Sequence, residues 1–323
     1  MRGLFGIKLR RLRSLMKPEI TIGTRGSKLA LWQANWVKLG LIEYFPGLSA
    51  EIVIIKTKGD KILDVPLAKV GGKGLFVKEI EEALICNRID MAVHSMKDMP
   101  AELLDGLSIG AIPERENPGD VLISKNNFFL SQLPEKARVG TSSLRRLAQI
   151  RHIRPDIVIV PLRGNLDTRI KKLNSGEMDA IILAAAGVKR LGLENLITEY
   201  IDEDIMLPAV GQGALCIEIR KDDNNIAKFA DSLDHSITRS VVMGERAFLK
   251  KLEGGCQIPI AGHGKAENNT FMISGLVADL EGKTIIKEML SGPLDASESI
   301  GTALAEKLLS MGAKQLLENL TVL

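Results

Sequence analysis

Two adjacent residues of opposite charge, Lys97 and Asp98, follow a short apolar run at Asp90–His94. The run predicts a strand, and the C-terminal ends of strands are where α/β sheets place ligand contacts. A cation and a carboxylate at such an edge can bind an anion and steady a developing positive charge. As a bare pair they describe most solvated surfaces equally well. Ser95 stands in the same turn, and His94 reads as a structural histidine. A second reactive candidate is Cys256, within LEGGCQIPIAGH at 252–263. Gly254 and Gly255 permit a sharp turn before it, and Pro259 fixes the exit after it. Taken alone, this thiol reads as a small buried cysteine near a loop.

Arginine is the third kind of chemistry. A predicted strand at Ile20–Gly23 runs through Thr24-Arg25-Gly26-Ser27 into a helix with Ser27 at its N-cap. The outward amides of a helix start favour an anion, and Arg25 and Ser27 stand where they can share in binding it. Arg138–Gly140 is followed by Thr141, Ser142 and Ser143 and a helix opening with Leu144-Arg145-Arg146. Cations in a first turn oppose the helix dipole, so two arginines there point to a bound anion rather than to capping. The predicted strand Ile157–Leu162 ends at Arg163-Gly164-Asn165, with Arg169 in the next helix. Asp179–Ala185 then leads to Gly187-Val188-Lys189-Arg190. Three successive strand ends thus bring arginines to one sheet edge.

The planar guanidinium fork suits carboxylates and phosphates, so a compact polyanion is the expected ligand. Residues 138–172 carry nine Arg or Lys against Asp156 and Asp167, within a chain whose net charge is only +3. Nucleic acid fits less well. Only 4% of the chain is aromatic, and no recognition-helix or RNP-like motif is present.

The elements that must position these groups follow from the pattern. A chain of 323 residues, 45% hydrophobic, has room for two or three domains. Cys86, Cys216 and Cys256 are odd in number and far apart, without ligand spacing, which fits a reducing compartment. No apolar run reaches membrane-spanning length. Residues 1–17 contain six basic residues and no acid. They are Arg-rich as transit peptides are, but short, and read as a disordered tail or as residues missing from the mature protein, with Met16 as the start. Leu29, Trp32, Trp36, Leu39 and Ile42 recur at helical spacing, which places the tryptophans in the core.

Residues 58–74 form a glycine-bearing connection expected to be a mobile functional loop, although its GGKG lacks P-loop spacing. Leu75–Asn87 reads as a helix, and a second run of alternating units starts near Val121. Pro208–Gly213 leads into a strand at Ala214–Ile219, read as the chain crossing back into the first domain. Two crossings make a hinged cleft. Ile237–Leu252 reads as an amphipathic helix, Thr270–Leu280 and Thr284–Ser291 as a hairpin, and Asp295 with Glu298 as a capping box. The expected architecture is α/β with three domains. These are 18–115 plus 211–234, 116–210, and a small α/β domain at 235–323 that opens with Cys256.

Seven segments together closely resemble one family. TRGSKLALWQA, KVGGKGLFVKEIE, AVHSMKDMP, GTSSLRR, LRGNLDTR, LPAVGQGAL and LEGGCQIP occur in the order and spacing of the hydroxymethylbilane synthase family, also called porphobilinogen deaminase. The resemblance runs from about residue 20 to the C-terminus. It implies two lobes of the type II periplasmic-binding kind around a cleft, with a small third domain. It also implies a dipyrromethane cofactor, built from the substrate and joined by a thioether to Cys256. Four porphobilinogens would be added head to tail with loss of ammonia, and water would release 1-hydroxymethylbilane, a step of heme and porphyrin biosynthesis.

Residue by residue, Asp98 matches the catalytic aspartate. Ser95, Lys97, Thr141, Ser143, Arg145, Arg146, Arg169, Gly187 and Gln212 match cofactor-binding positions alongside Cys256. Arg25, Ser27, Phe76, Arg163 and Arg190 match substrate-binding ones, and no metal is implied. Phe76 and the 58–74 loop would shield the cleft from water. The basic tail depart from the family's pattern, as does Gly26, where bulkier residues are common. A monomer in the cytoplasm is implied, or in an organelle stroma if the tail is a transit remnant, with no nucleic-acid or membrane partner. A non-catalytic polycarboxylate-binding protein of the periplasmic type would explain the lobes and arginines without a reactive cysteine. A hydrolase using Cys256 or Ser95 would need a histidine positioned to pair with it, and the sequence by itself places none for either.

Overall fold

A computed structural model describes residues 19–61, 77–252 and 258–321. The basic segment 1–17, most of the 58–74 connection, Phe76 and Cys256 lie outside the described residues. The chain opens with β1 (Glu19–Thr24), α1 (Lys28–Tyr44), β2 (Ser49–Ile54), α2 (Lys78–Ile85), β3 (Met91–Ser95) and β4 (Leu107–Ala111). It continues through β5 (Asp120–Ser124), β6 (Arg138–Gly140), α3 (Leu144–Ile153), β7 (Val158–Val160), α4 (Leu166–Asn174), β8 (Ala180–Ala184), α5 (Ala185–Arg190) and β9 (Glu199–Ile201). β10 (Leu215–Arg220) and α6 (Asn224–Asp231) precede α7 (Ser236–Lys251). The last elements are β11 (Ile260–Glu267), β12 (Thr270–Ala278), β13 (Ile285–Pro293), α8 (Ser297–Leu308) and α9 (Lys314–Thr321).

Two five-stranded sheets result, with orders β2-β1-β3-β10-β4 and β7-β6-β8-β5-β9, and a three-stranded sheet β11-β12-β13. In each large sheet three parallel strands meet an antiparallel fourth, β10 in the first and β5 in the second. Those two strands are the ones entered directly after the chain crosses between sheets. This is the pair of α/β lobes with a small third α/β domain that the resemblance implied. Strands covered on both faces read as continuous apolar runs. Every residue of β5 is buried, with Leu122 in the core on one side of its sheet and Val121 and Ile123 in the core on the other.

Two local expectations are corrected. Helix α1 buries Ala30, Gln33, Ala34, Val37 and Leu41, whereas Trp32 and Trp36 stay 37% and 40% exposed. The face with two alanines is the one that packs on the sheet, and the indoles stand off it. Asp295 lies inside a 3₁₀ turn, Leu294–Ala296, and α8 starts at Ser297 without a side-chain cap. The chain turns helical at once after β13, so Asp295 never takes the extended cap conformation that a capping box needs.

The third domain is tied to both lobes. The buried Glu245 carboxylate on α7 accepts from Arg115 Nη1 at 2.6 Å and Nη2 at 3.2 Å. It also accepts from the amides of Gly211 and Gly264, each at 2.7 Å. Arg115 lies on the first crossing between lobes and Gly211 on the second. Against the second lobe, Glu203 pairs with His263 at 3.2 Å and Lys265 at 2.8 Å, while Ala148 and Leu207 pack on Ala261, Leu276 and Ala278.

Within the domain, α7 and α8 cross backbone to backbone. A Cβ on Gly301 would overlap the Gly244 carbonyl oxygen. Helix propensity alone would make alanine better than glycine there by about 1 kcal/mol. The expected outcome for Gly301→Ala is the reverse, a loss of roughly 1–3 kcal/mol, because rigid backbone cannot yield to the added methyl. Urea denaturation of the two proteins checks the sign.

Candidate active site

The first edge of the cleft comes from the C-terminal ends of β1 and β3. The Ser27 side chain caps α1 by accepting from the Ala30 amide at 3.2 Å, which places Arg25 in the turn before the helix. β3 ends at Ser95 and the chain tightens into a 3₁₀ turn, Met96–Asp98. Arg25, Ser27, Gln33, Ser95 and Asp98 line one pocket. Gln33 donates from Nε2 to the Ser95 hydroxyl at 2.9 Å. Asp98 is exposed, and Lys97 is partly buried.

The second edge is built by β6, β7 and β8. Ser143 caps α3 and accepts from the Arg146 amide at 3.4 Å, while its own amide donates to Thr141 Oγ1 at 3.2 Å. The two first-turn arginines have a counter-ion that sequence reasoning missed. Arg145 Nη1 lies 2.7 Å from Asp120 Oδ2, and Arg146 Nη2 lies 2.7 Å from Oδ1. Asp120 opens β5 and is fully buried. Burial alone would raise its carboxyl, but Arg145 and Arg146 overcome that and hold it well below the ordinary carboxylate range. Nothing local marks Asp120, because its partners lie on a helix that the chain reaches only later. Gln33, a polar residue on the alanine face of α1, offered the only visible signal of the two.

Gln212, on the second crossing, joins the two edges. Its Nε2 donates to Asp120 Oδ1 at 2.9 Å and to Pro118 O at 2.7 Å, and its Oε1 accepts from Lys97 Nζ at 3.2 Å. The crossings touch at Gly213, where φ is +88° and a Cβ would overlap the Glu116 carbonyl oxygen. Only glycine combines that backbone with that approach.

Electrostatics ties the lobes together. Burial, helped by Arg146, pushes the Lys97 ammonium down to about 8, against the opposing pull of Asp98 and Asp120. Burial and then Arg146 likewise push Arg169 down to about 10, with Asp98 opposing and Arg163 adding to the shift. Lys97, Asp98, Arg145, Arg146, Arg163 and Arg169 therefore share one region of the cleft. Among the described residues, the buried Arg145 Nε has no hydrogen-bond partner. Cations that raise one another's energy, with a buried donor left over, form a site built for an anion.

Arg190 and Gly187 are placed differently. Arg190 donates from Nη2 to Gly213 O at 2.7 Å, and its guanidinium lies 5.8 Å from the centre of the Trp32 ring on the first lobe. Gly187 is buried on α5, where an added Cβ would meet Leu29 at 3.5 Å. Both stand where the lobes abut. Among the described cysteines, Cys86 is exposed and Cys216 is buried. Burial, then Glu218, pushes the Cys216 thiol far up, which keeps it neutral and unreactive. Among the described residues no cluster of His, Cys, Asp or Glu could hold a metal ion, and no helix is long and apolar enough to cross a membrane.

Comparison with known proteins decides the family. Residues 20–228 match the family described as porphobilinogen deaminase, dipyromethane cofactor binding domain, and residues 240–310 match porphobilinogen deaminase, C-terminal domain. The chain is 53% identical over 305 residues to the porphobilinogen deaminase of Carboxydothermus hydrogenoformans, covering 94% of this chain and 98% of that one. It is 53% identical over 299 residues to that of Geobacter sulfurreducens, covering 93% of this chain and 94% of that one. The chain belongs to the porphobilinogen deaminase family. It is a transferase of tetrapyrrole biosynthesis that condenses porphobilinogen, and its first two lobes correspond to the family's dipyrromethane-binding region. Family membership favours this over the non-catalytic solute-binding alternative.

One pH dependence follows for this deaminase. Lys97 loses its charge as pH rises through about 8, so affinity for carboxylate-bearing ligand should fall over that interval. In Lys97→Met binding should be weaker throughout, and this fall near pH 8 should be absent. Dipyrromethane loading of the cofactor-free proteins against pH, read by intact mass, is the check.

Proposed function

We propose that Asp98 is the catalytic carboxylate and that the dipyrromethane is anchored through Cys256 and held by Ser95, Lys97, Thr141, Ser143, Arg145, Arg146, Arg169, Gly187 and Gln212. Arg25, Ser27, Phe76, Arg163 and Arg190 take the substrate in the same reading, with Cys256 and Phe76 outside the described residues. The observation that carries it is the meeting of Asp98 with Arg25 and Ser27 in one pocket, facing cations of the other lobe. The cofactor's acetate and propionate groups suit the buried Arg145 Nε and the crowded guanidiniums. When bound, it supplies the pyrrole terminus to which new units are added.

The residues of the chain then divide the work. Arg25 and Ser27 fix the carboxylates of porphobilinogen at a helix start, where the outward amides add to the attraction. Asp98 faces the pyrrole of that substrate as the C–N bond of its protonated aminomethyl group breaks, ammonia leaving and the methylene carbon staying on the ring. The positive charge left on the ring is stabilised by the carboxylate. At about 4 Å and an effective dielectric near 20, such a pair contributes roughly 4 kcal/mol, or about three decades of rate. The pocket walls from α1 and β3 limit the water that would quench so electrophilic a species. The same reading takes the protein to act as a cytoplasmic monomer, as the sequence resemblance implies.

Asp98→Ala should fold and keep its bound pyrrole species while turnover drops about 1000-fold. A near-normal rate would remove Asp98 from this role. Intact mass of the wild-type protein should exceed the bare chain by two pyrrole units, and Cys256→Ser should lose that addition.

A further inference from the structure

We infer that Asp120 is a positioning residue for this reaction: its carboxylate, at the joint of the two crossings, sets the placement of Arg145 and Arg146 and, through Gln212, of Lys97. The inference rests on the reading that these three cations hold the cofactor. Asp120 is the first residue after the first crossing, and Gln212 lies on the second. One carboxylate takes Arg145 on Oδ2 at 2.7 Å, and takes Arg146 Nε at 3.1 Å and Nη2 at 2.7 Å on Oδ1. The Gln212 amide then spans from Oδ1, at 2.9 Å, to the Lys97 ammonium, at 3.2 Å.

Geometry and charge both argue for this role. Each nitrogen of the Arg146 head group donates a hydrogen bond, Nη1 to Ile182 O at 2.8 Å, which holds its plane. Arg145 Nη1 donates to Leu207 O at 2.6 Å, and its buried Nε has no hydrogen-bond partner among the described residues. One negative charge between two guanidiniums lowers their repulsion enough to bury both, and still leaves surplus positive charge for a carboxylate.

The test uses Asp120→Asn, Asp120→Glu and Gln212→Met. Lys97 is faced by Arg145, Arg146, Asp98 and Asp120, and loss of the Asp120 charge must lower the pH at which it deprotonates. Amine labelling of Lys97 against pH, mapped by mass on cofactor-free protein, should shift toward acid by about one unit in Asp120→Asn. It should shift in the same direction in Gln212→Met and return in Asp120→Glu. Dipyrromethane loading by intact mass should fall in Asp120→Asn, and kcat should fall on the order of 100-fold. An unmoved Lys97 midpoint in Gln212→Met, or in folded Asp120→Asn, overturns the inference whatever the activity. A moved midpoint with full loading and turnover would instead overturn the assignment of these cations to the cofactor. Should Asp120→Asn not fold, Gln212→Met decides alone.

Discussion

The Glu245 carboxylate is the interaction on which the arrangement of domains depends. A fully desolvated charge is tolerable only where every lone pair finds a donor, and this one has four. Its donors come from the first crossing, the second crossing and β11, so one side chain of α7 fastens the third domain to both connections between the lobes. Losing one partner of such a pair typically costs about 3–5 kcal/mol. The proposed anchor, Cys256, follows α7 directly in sequence, so the helix that carries Glu245 also leads to the tether.

Around that joint, the cleft is organised by cations that cannot relax away from each other. Arg145 and Arg146 are committed to Asp120, and Lys97 is reached through Gln212, so their charges are presented rather than solvated. Water would screen the same residues on an open surface. Here burial depresses Lys97 and Arg169 while holding them in place, and that stored cost is what a polycarboxylate relieves. Arg190 in addition reaches across the lobes, its guanidinium 5.8 Å from the centre of the Trp32 ring.

Much of this was legible along the chain. The strand ends with their arginines, the Lys97–Asp98 turn and the Ser27 cap are local features, set by hydrophobic period and by helix-start chemistry. The hairpin around Glu281-Gly282 was legible for the same reason. What failed was also local in form. Asp295 matched a capping pattern but fell inside a 3₁₀ turn, and Trp32 and Trp36 matched a helical stripe but lie on the face away from the sheet. A helix with two apolar faces does not reveal which one is buried until its neighbours are known.

The sequence by itself therefore determined the elements, the family and the residue types at the cleft edges, because each depends on neighbours close in the chain. Only the tertiary structure decided what those charges do. The partners of Arg145 and Arg146, the span of Gln212 between lobes and the hold of Glu245 on both crossings join residues up to 130 positions apart. A buried carboxylate is specified by whichever donors the fold delivers to it, and that delivery is a property of the packed sheets rather than of any segment.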